Sequence, residues 1–440
     1  MISTFINAWK VADLRKKIIF TALIVLIFRI GAAIPLPFTN ITENIVSDVD
    51  ETFFGYLAMM TGEAFSMGTI FALSITPYIN SSIIIQLLSV AIPYLEKLSK
   101  EGEEGRKKIA TITRYTTIAL ALLQSTAYFI YLRAQGHVIA DPVSGTAFTG
   151  FPAVLQGLTV ILCLTAGSTF VMWLGEQIND KGIGNGISII LFAGIVARFP
   201  TTISVLYSYF EAGKAYIALV PIVVICLLAM IAFIVWMDNA ERRIPVQYAK
   251  RVVGRKMYGG QSTHIPIKVN MSGVLPVIFA SSILSVVPTV QMLFFQGKEL
   301  NKTLETLFSI FATDHWAYAI MYFFLILFFA YFYASIQYNP VEMANNIRKN
   351  SGMVPGLRPG KPTADYIKKI LGRITLLGAL LLSVVALFPN VLTLFTQLID
   401  SPMQLALGGT SLIIVVGVAL ETVKQLESQM MMRHYKGFLD

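Results

Sequence analysis

Three glycines at alternate positions make up the part of this sequence that most resembles a ligand-binding loop. Gly182, Gly184 and Gly186 lie in the stretch Lys181-Gly-Ile-Gly-Asn-Gly-Ile187. Such a stretch can cradle a phosphate when a strand precedes it and a helix follows it. The sequence predicts no strand before Lys181, so we interpret the stretch as a tight turn into the next helix and not as a nucleotide site.

Residues that could carry nucleophilic, redox or metal chemistry are scattered. The sequence contains none of the patterns HExxH, GxSxG or a Walker-type loop. Histidines lie only in predicted loops or the tail, and both cysteines lie within apolar runs, which disfavours a metal site or a disulfide framework. These residues are His137, His264, His315, His434, Cys163 and Cys226. We therefore expect no enzyme activity, no metal and no cofactor.

The composition indicates a membrane protein. Of 440 residues, 55% are hydrophobic and 13% are charged, which is too much apolar surface for one water-soluble core. A helix needs about 20 mostly apolar residues to cross a bilayer. Ten segments meet this requirement, and an even number places both termini on one side. They are residues 18–36, 75–95, 112–132, 152–174, 186–206, 215–236, 273–295, 316–337, 370–388 and 405–423.

The distribution of basic residues predicts the orientation. Lysine and arginine favour cytoplasmic loops, and 28 of the 34 lie on one side if the N-terminus is cytoplasmic. Topology thus accounts for the net charge of +9 without nucleic acid. Two sets of five spans follow, one in residues 1–206 and one in residues 207–440. Because five is odd, the second set runs inverted relative to the first, as in inverted repeats around a central path.

Two predicted cytoplasmic loops are unusually long, residues 237–272 and 338–369. The first alternates like a strand in residues 244–249 and 265–269, around a basic turn at 251–256, which favours a projecting hairpin over a plain solvated loop. The second contains a possible short helix at 340–349, followed by glycines and prolines that impose turns. Long loops in compact domains are often functional.

Residues 62–73 lie between the first two spans and are too short and too rich in Gly, Ser and Thr to cross a bilayer. Irregular backbone at membrane depth is tolerated when it is buried in protein or lines an aqueous cavity. We interpret residues 62–73, hereafter the re-entrant segment, as a short helix in a cavity open to the outside. The alternative is an ordinary external loop.

Charged residues are nearly absent from the spans, apart from a few near their ends such as Arg29, and most polar residues there carry amides or hydroxyls. Ion-coupled transporters normally need an acidic residue near the midplane, and none is present there, although a secondary transporter of a small solute remains the alternative interpretation. Groups such as Asn80, Gln124 and Ser282 fit ordinary helix packing. They equally fit a seam between helices that must separate.

The sequence resembles the SecY family of protein-translocation channels from its first span to its last. The motifs that carry the resemblance include Trp173-Leu-Gly-Glu-Gln177 and Gly182-Ile-Gly-Asn-Gly-Ile-Ser188. The others are residues 29–31, 34–37, 76–88, 101–106, 113–115, 261–270, 354–360 and 408–411.

The resemblance implies an all-α membrane protein: ten transmembrane helices in two inverted five-helix halves around a central pore, with a re-entrant plug helix. The implied function is a protein-conducting channel that translocates unfolded secretory polypeptides and releases membrane segments laterally, in the cell inner (cytoplasmic) membrane with both termini cytoplasmic. The implied partners are the SecE and SecG subunits, the SecA motor ATPase, the ribosome, polypeptides bearing signal sequences, and membrane lipid.

The resemblance also assigns roles to individual positions. An aliphatic pore ring is implied at Ile75, Ile79, Ile187, Leu191, Ile278 and Ile414. The plug is implied at Gly62, Glu63, Ala64, Phe65, Ser66, Met67, Gly68 and Thr69. A lateral gate between the second and third spans and the seventh and eighth is implied, with Asn80, Gln124 and Ser282 as candidates. Docking of SecA or the ribosome is implied at Arg251, Arg255 and Arg358.

Overall fold

The computed structural model describes most of the 440-residue chain. The described residues are 2–41, 61, 63–139, 150–211, 213, 216–248, 251–253, 256–258, 262–271, 273–284, 287, 308, 310, 311, 315–398 and 409–436.

Helices dominate the first part of the chain. Long apolar helices alternate with short ones, and the shortest lies within the re-entrant segment. In chain order they are α1 (Ile2–Lys10), α2 (Ala12–Gly31), α3 (Glu63–Ser66), α4 (Thr76–Ala91), α5 (Pro93–Lys100), α6 (Glu103–Ala134), α7 (Phe151–Lys181), α8 (Gly186–Val196) and α9 (Phe199–Glu211).

The second part combines helices with short strands. The strands all lie in the two long loops. In chain order the elements are α10 (Tyr216–Asn239), β1 (Glu241–Tyr248), β2 (Arg251–Val253), β3 (Lys256–Tyr258), β4 (Ser262–Lys268), α11 (Leu275–Leu284), α12 (Trp316–Gln337), α13 (Pro340–Lys349), β5 (Gly352–Met353), α14 (Lys361–Leu398) and α15 (Gly409–Lys436).

Each of the ten predicted spans contains described helical residues, although two of them, 75–95 and 186–206, are each divided between two helices. Within the described residues, seven helices are long and apolar enough to cross a membrane, and the bent pair α4 and α5 would make an eighth. Of the other two segments, α2 carries the basic residues Arg15, Lys16 and Lys17 within its 20 residues, and α11 is described over only 10 residues. The chain is therefore an all-α membrane protein of many spans.

The second predicted span is broken rather than continuous. Helix α4 ends at Ala91, and α5 leaves at an angle of 102°. The break lies at Ile92, whose backbone is extended, with φ −104° and ψ 116°. Pro93 explains the break, because proline lacks a backbone N–H and disfavours helical backbone in the residue before it.

The two long loops form one small structure, hereafter the sheet domain. Strands β1 and β4 pair antiparallel, with Ile244 opposite Ile265, and β5 from the second loop pairs with the other edge of β1. Side chains of β1 alternate, so that Ile244 and Val246 are buried among residues of α13 and α14. The predicted hairpin and the predicted helix at 340–349 are thus both confirmed.

Several elements differ from the sequence-based expectations. The basic stretch around Arg251 is a second small hairpin of β2 and β3 rather than a simple turn. Helix α14 begins at Lys361, nine residues before the predicted apolar start at 370, because its charged first turns extend out of the apolar zone and bury Ala364 and Ile367 against the sheet domain. Helix α2 ends at Gly31 rather than at residue 36.

Candidate functional site

Six aliphatic side chains from both halves of the chain meet in one buried cluster, hereafter the apolar ring. Five of them are between 0% and 8% exposed, and Ile187 is partly buried against the other members. Two come from α4 and the residue before it, two from α8, one from α11 and one from α15. They are Ile75, Ile79, Ile187, Leu191, Ile278 and Ile414. The structure thus brings together every residue that was predicted for the pore ring.

The glycine-rich stretch before α8 is the tight turn that the sequence predicts, and it sets the position of Ile187 and Leu191. Gly184 has a φ of +83°, which favours glycine. The Asn185 side chain caps α8 by accepting a hydrogen bond from the Ile187 N–H at 3.1 Å. At Gly186, a Cβ would lie 2.0 Å from the Gly175 carbonyl oxygen, so only glycine lets α8 approach α7 this closely.

Within the described residues, the re-entrant segment is helical at Glu63–Ser66, α3, and continues in non-helical turns. The backbone then turns through Gly68, with φ +55°, and Ser74, with φ +47°, before α4 begins. These left-handed positions prevent a longer helix. Gly62 lies outside the described residues, whereas the other predicted plug positions, residues 63–69, are within them.

Backbone hydrogen bonds tie the re-entrant segment to the chain that follows α2. The Leu36 N–H donates to the Gly68 carbonyl at 2.9 Å, and the Ile70 N–H donates to the Ile34 carbonyl at 3.0 Å. Phe71 packs over Gly31 and stacks against Phe28 at 6.1 Å. The segment is therefore folded back between helices rather than resting on the surface as an external loop.

Helices α6 and α7 also hold the re-entrant segment. The Tyr128 hydroxyl on α6 donates to the Phe65 carbonyl at 2.8 Å, and the Ser168 hydroxyl on α7 donates to the Ser74 carbonyl at 3.0 Å. All of these side chains are buried. Residue Gly167 allows the backbones to meet, since a Cβ there would lie 2.2 Å from the Ile70 carbonyl oxygen.

Two hydroxyls in or beside the re-entrant segment are buried without a hydrogen bond. The Thr61 and Ser66 Oγ atoms have no hydrogen-bond partner among the residues that the structure describes. An unpaired buried hydroxyl typically costs about 1–3 kcal/mol.

The residues predicted for the polar seam lie on three helices: Asn80 on α4, Gln124 on α6 and Ser282 on α11. Asn80 and Ser282 are half-buried, and the Gln124 Oε1 atom is buried without a hydrogen-bond partner among the described residues. A hydrogen bond between α4 and α12 joins Gln86 to Tyr333. Sequence reasoning missed Tyr333, because nothing distinguishes it from its aromatic neighbours on α12.

Two of the three predicted docking arginines are described, and both lie in the long loops. Arg251 is the first residue of β2, and Arg358 is exposed in the turn before α14. Arg255 lies outside the described residues. A further arginine joins two helices: the Arg114 Nε on α6 donates to Glu176 Oε1 on α7 at 2.7 Å.

The described residues contain no group of three side chains that could hold a metal ion. The six predicted pore residues lie instead within a larger buried apolar cluster to which both halves of the chain contribute. Such side chains offer no hydrogen bonds to water or ions. The fold and the site together define a class: a membrane protein of many helical spans whose two halves share a buried apolar cluster.

Comparison with known proteins identifies the family. The family model described as SecY matches residues 69–423. The protein translocase subunit SecY of Streptomyces coelicolor is 44% identical, and the alignment covers 100% of both chains. This chain therefore belongs to the SecY family.

Solved structures agree on the fold. A structure described as that of a protein-conducting channel has a TM-score of 0.64 at 18% identity, covering 94% of this chain and 92% of the other. A second structure concerns the plug domain of the SecY protein, said to stabilise the closed state of the translocation channel. It has a TM-score of 0.62 at 18% identity, with the same coverage.

Proposed function

We propose that this chain is a protein-conducting channel that translocates unfolded secretory polypeptides across the cytoplasmic membrane and releases membrane segments laterally into it. The observation that carries the proposal is the apolar ring, to which both halves of the chain contribute. Membership of a family whose relatives are protein translocase subunits supports it. The chain catalyses no reaction in this proposal, so a partner must supply the energy.

The ring is the gate of this channel. Aliphatic side chains close a narrow pore to ions because water is unstable between them. The same side chains are flexible, and so they can fit around a moving polypeptide of variable sequence. Leu191 retains this apolar character beside five isoleucines.

The re-entrant segment is the plug of this channel. It lies directly before the ring residue Ile75 in the sequence, and Phe71 belongs to the same buried cluster as the ring. Two side-chain hydrogen bonds, from Tyr128 and Ser168, hold the segment and the residue after it to α6 and α7. Two buried hydroxyls in or beside the segment have no hydrogen-bond partner among the described residues. Both features favour a segment that can move aside. When it moves, the funnel outside the ring opens.

The lateral gate lies between α4 and α6 on one side and α11 and α12 on the other. Residues 1–206 and 207–440 then form the two halves that part there. Asn80, Gln124 and Ser282 contribute polar groups to the seam, and the Gln86–Tyr333 hydrogen bond crosses it. Such contacts in membrane proteins average only about 0.6 kcal/mol, so a signal sequence can replace them and pass into lipid.

The sheet domain is the dock for the SecA motor and the ribosome on the cytoplasmic side, where both termini also lie. Arg251, Arg255 and Arg358 contribute guanidinium groups, which pair with carboxylates on a protein and phosphates on RNA. SecE and SecG pack on the lipid-facing helices as partner subunits. Because β5 joins β1, a partner that binds either loop engages the same small core.

The alternative, a secondary transporter of a small solute, receives no support from the family comparison. A transporter predicts a polar site between the halves, whereas the residues gathered there are aliphatic. We therefore favour the channel.

Crosslinking tests the polypeptide path. In a background of Cys163→Ser and Cys226→Ser, a cysteine is placed at Ile278 in the ring, and a stalled secretory polypeptide carries one at its middle. Ile225, on α10 outside the proposed gate and 65% exposed, is the control position. In membranes supplied with SecA and ATP, we expect a crosslink at position 278 that requires both ATP and a signal sequence.

The control position should give no crosslink. Absence of a crosslink at 278, 79 and 414 in membranes shown to secrete would overturn the proposed path and return the transporter to consideration.

A further inference from the structure

The bond between Tyr128 and the re-entrant segment stands out among the contacts that hold that segment. The hydroxyl-to-carbonyl distance is 2.8 Å, close to the most common value for such bonds. Tyr128 is 0% exposed and Phe65 is 1% exposed. Their rings also pack against each other, with centroids 4.6 Å apart. Position and orientation of the hydroxyl are thus fixed by packing.

The Phe65 carbonyl needs this partner. Phe65 lies at the C-terminal end of α3, where the last carbonyls have no following N–H groups within the helix. The Gly68 N–H reaches the Phe65 carbonyl at a longer 3.2 Å, while the Ala64 carbonyl accepts from Thr69. Water is excluded from a site this deeply buried. The Tyr128 hydroxyl therefore completes the end of α3.

Tyr128 connects α3 to a helix that the proposed gate must move. Helix α6 packs along α4, where the Ser81 hydroxyl donates to the Thr113 carbonyl at 2.9 Å. The neighbouring α4 residues Ile79 and Asn80 belong to the ring and the seam. A displacement of α6 at the gate is thus carried along one continuous helix to Tyr128.

We propose that the Tyr128 hydroxyl is a latch: its hydrogen bond holds the re-entrant segment in the buried position described above, hereafter the seated position, and breaks when α6 moves. This inference rests on the proposed channel function. A movement of about 1 Å suffices, because hydrogen bonds beyond about 3.5 Å contribute little. Tyr128 is a positioning residue, and it couples the lateral gate to the plug through one bond.

The test replaces the hydroxyl alone. Tyr128→Phe keeps the ring packing and removes the bond. Ser125→Ala is the matched control, because it removes another buried hydroxyl from α6 that bonds to the Ala121 carbonyl at 2.6 Å and to Thr165 at 3.1 Å. A third variant lacks residues 63–69 and gives the leak of an unplugged channel. All variants are assembled with their partner subunits in liposomes.

The first measurement is iodide leak through the resting channel. A net hydrogen bond is worth about a 2- to 10-fold change in an equilibrium, so we expect Tyr128→Phe to raise the leak by about that factor. Ser125→Ala should match the unmodified channel. The second measurement is transport of a polypeptide with an impaired signal sequence relative to an intact one. That ratio should rise in Tyr128→Phe, because a weaker latch shifts the population toward the open state.

Each contrary outcome is informative. Normal leak in Tyr128→Phe, together with high leak in the 63–69 deletion, would overturn the latch and leave the plug standing. Equal increases in Tyr128→Phe and Ser125→Ala would assign the effect to general loosening of α6 and also overturn it. Normal leak in the deletion would instead contradict the proposed plug, and the latch with it.

Discussion

Gly167 provides a direct test of how the re-entrant segment is packed. It lies on α7, and a Cβ built there would be 2.2 Å from the Ile70 carbonyl oxygen and 3.1 Å from the Ile70 carbonyl carbon. Real Cβ atoms essentially never lie within 3.0 Å of such atoms. The variant Gly167→Ala must therefore push the two backbones apart by about 0.8 Å, the difference between 2.2 and 3.0 Å.

The re-entrant segment should give way rather than α7. Helix α7 is one continuous helix of 31 residues with Val171 and Leu174 buried in the central cluster, whereas Ile70 lies in non-helical turns, although the segment also has buried side chains such as Phe71. Overpacking of this kind costs about 1–3 kcal/mol. That free energy acts against the seated state, so the ratio of displaced to seated segment should rise by about 5- to 160-fold.

Iodide leak from liposomes measures this ratio. Gly157→Ala is the matched control on the same helix, because its Cβ would meet the Phe129 ring at 2.9 Å, a side chain that can turn, rather than the segment's backbone. Leak should rise in Gly167→Ala and stay near normal in Gly157→Ala. An unchanged leak in a correctly folded Gly167→Ala channel would refute the packing argument.

Three further predictions concern the ring and the sheet domain. Ile278→Asn should raise ion leak several-fold, because an amide in the ring stabilises water there, whereas Ile278→Val should not; equal conductance of the two variants would contradict the gate. Gly378→Ala should destabilise the protein by about 1–3 kcal/mol, since its Cβ would lie 2.3 Å from the Val269 carbonyl oxygen; an unchanged melting temperature in detergent would argue against this contact. Arg358→Glu should weaken SecA or ribosome binding at low salt with little change in stability, because the side chain is exposed; unchanged affinity for both partners would remove Arg358 from the dock.

Local sequence patterns predicted individual elements well. Helix α12 and helix α13 were expected at the residues where they occur, because apolar composition and capping signals are local properties. The break at Ile92 and the early start of α14 were missed. A search for apolar runs detects only the part of a helix that lies in lipid, and it passes over a charged helical extension into water.

Contacts between distant residues were less predictable. Nothing in residues 352–353 indicates that they add a strand to β1, more than a hundred positions earlier. The ring residues are ordinary aliphatics within apolar spans, and only the resemblance to a family singled them out. The sequence did not single out Tyr128, because its hydrogen-bond partner is a backbone carbonyl 63 positions away. Every residue has a backbone carbonyl, so the sequence does not show which one is used.

Both halves of the chain contribute residues to the apolar ring, which determines when the ring can form during synthesis of the protein. Ile75, Ile79, Ile187 and Leu191 are synthesised before the second half exists, whereas Ile278 and Ile414 complete the cluster from later helices. Helix α11 supplies the first of these later partners and α15 the second. The cluster is therefore complete only after residues from the last described helix have been synthesised.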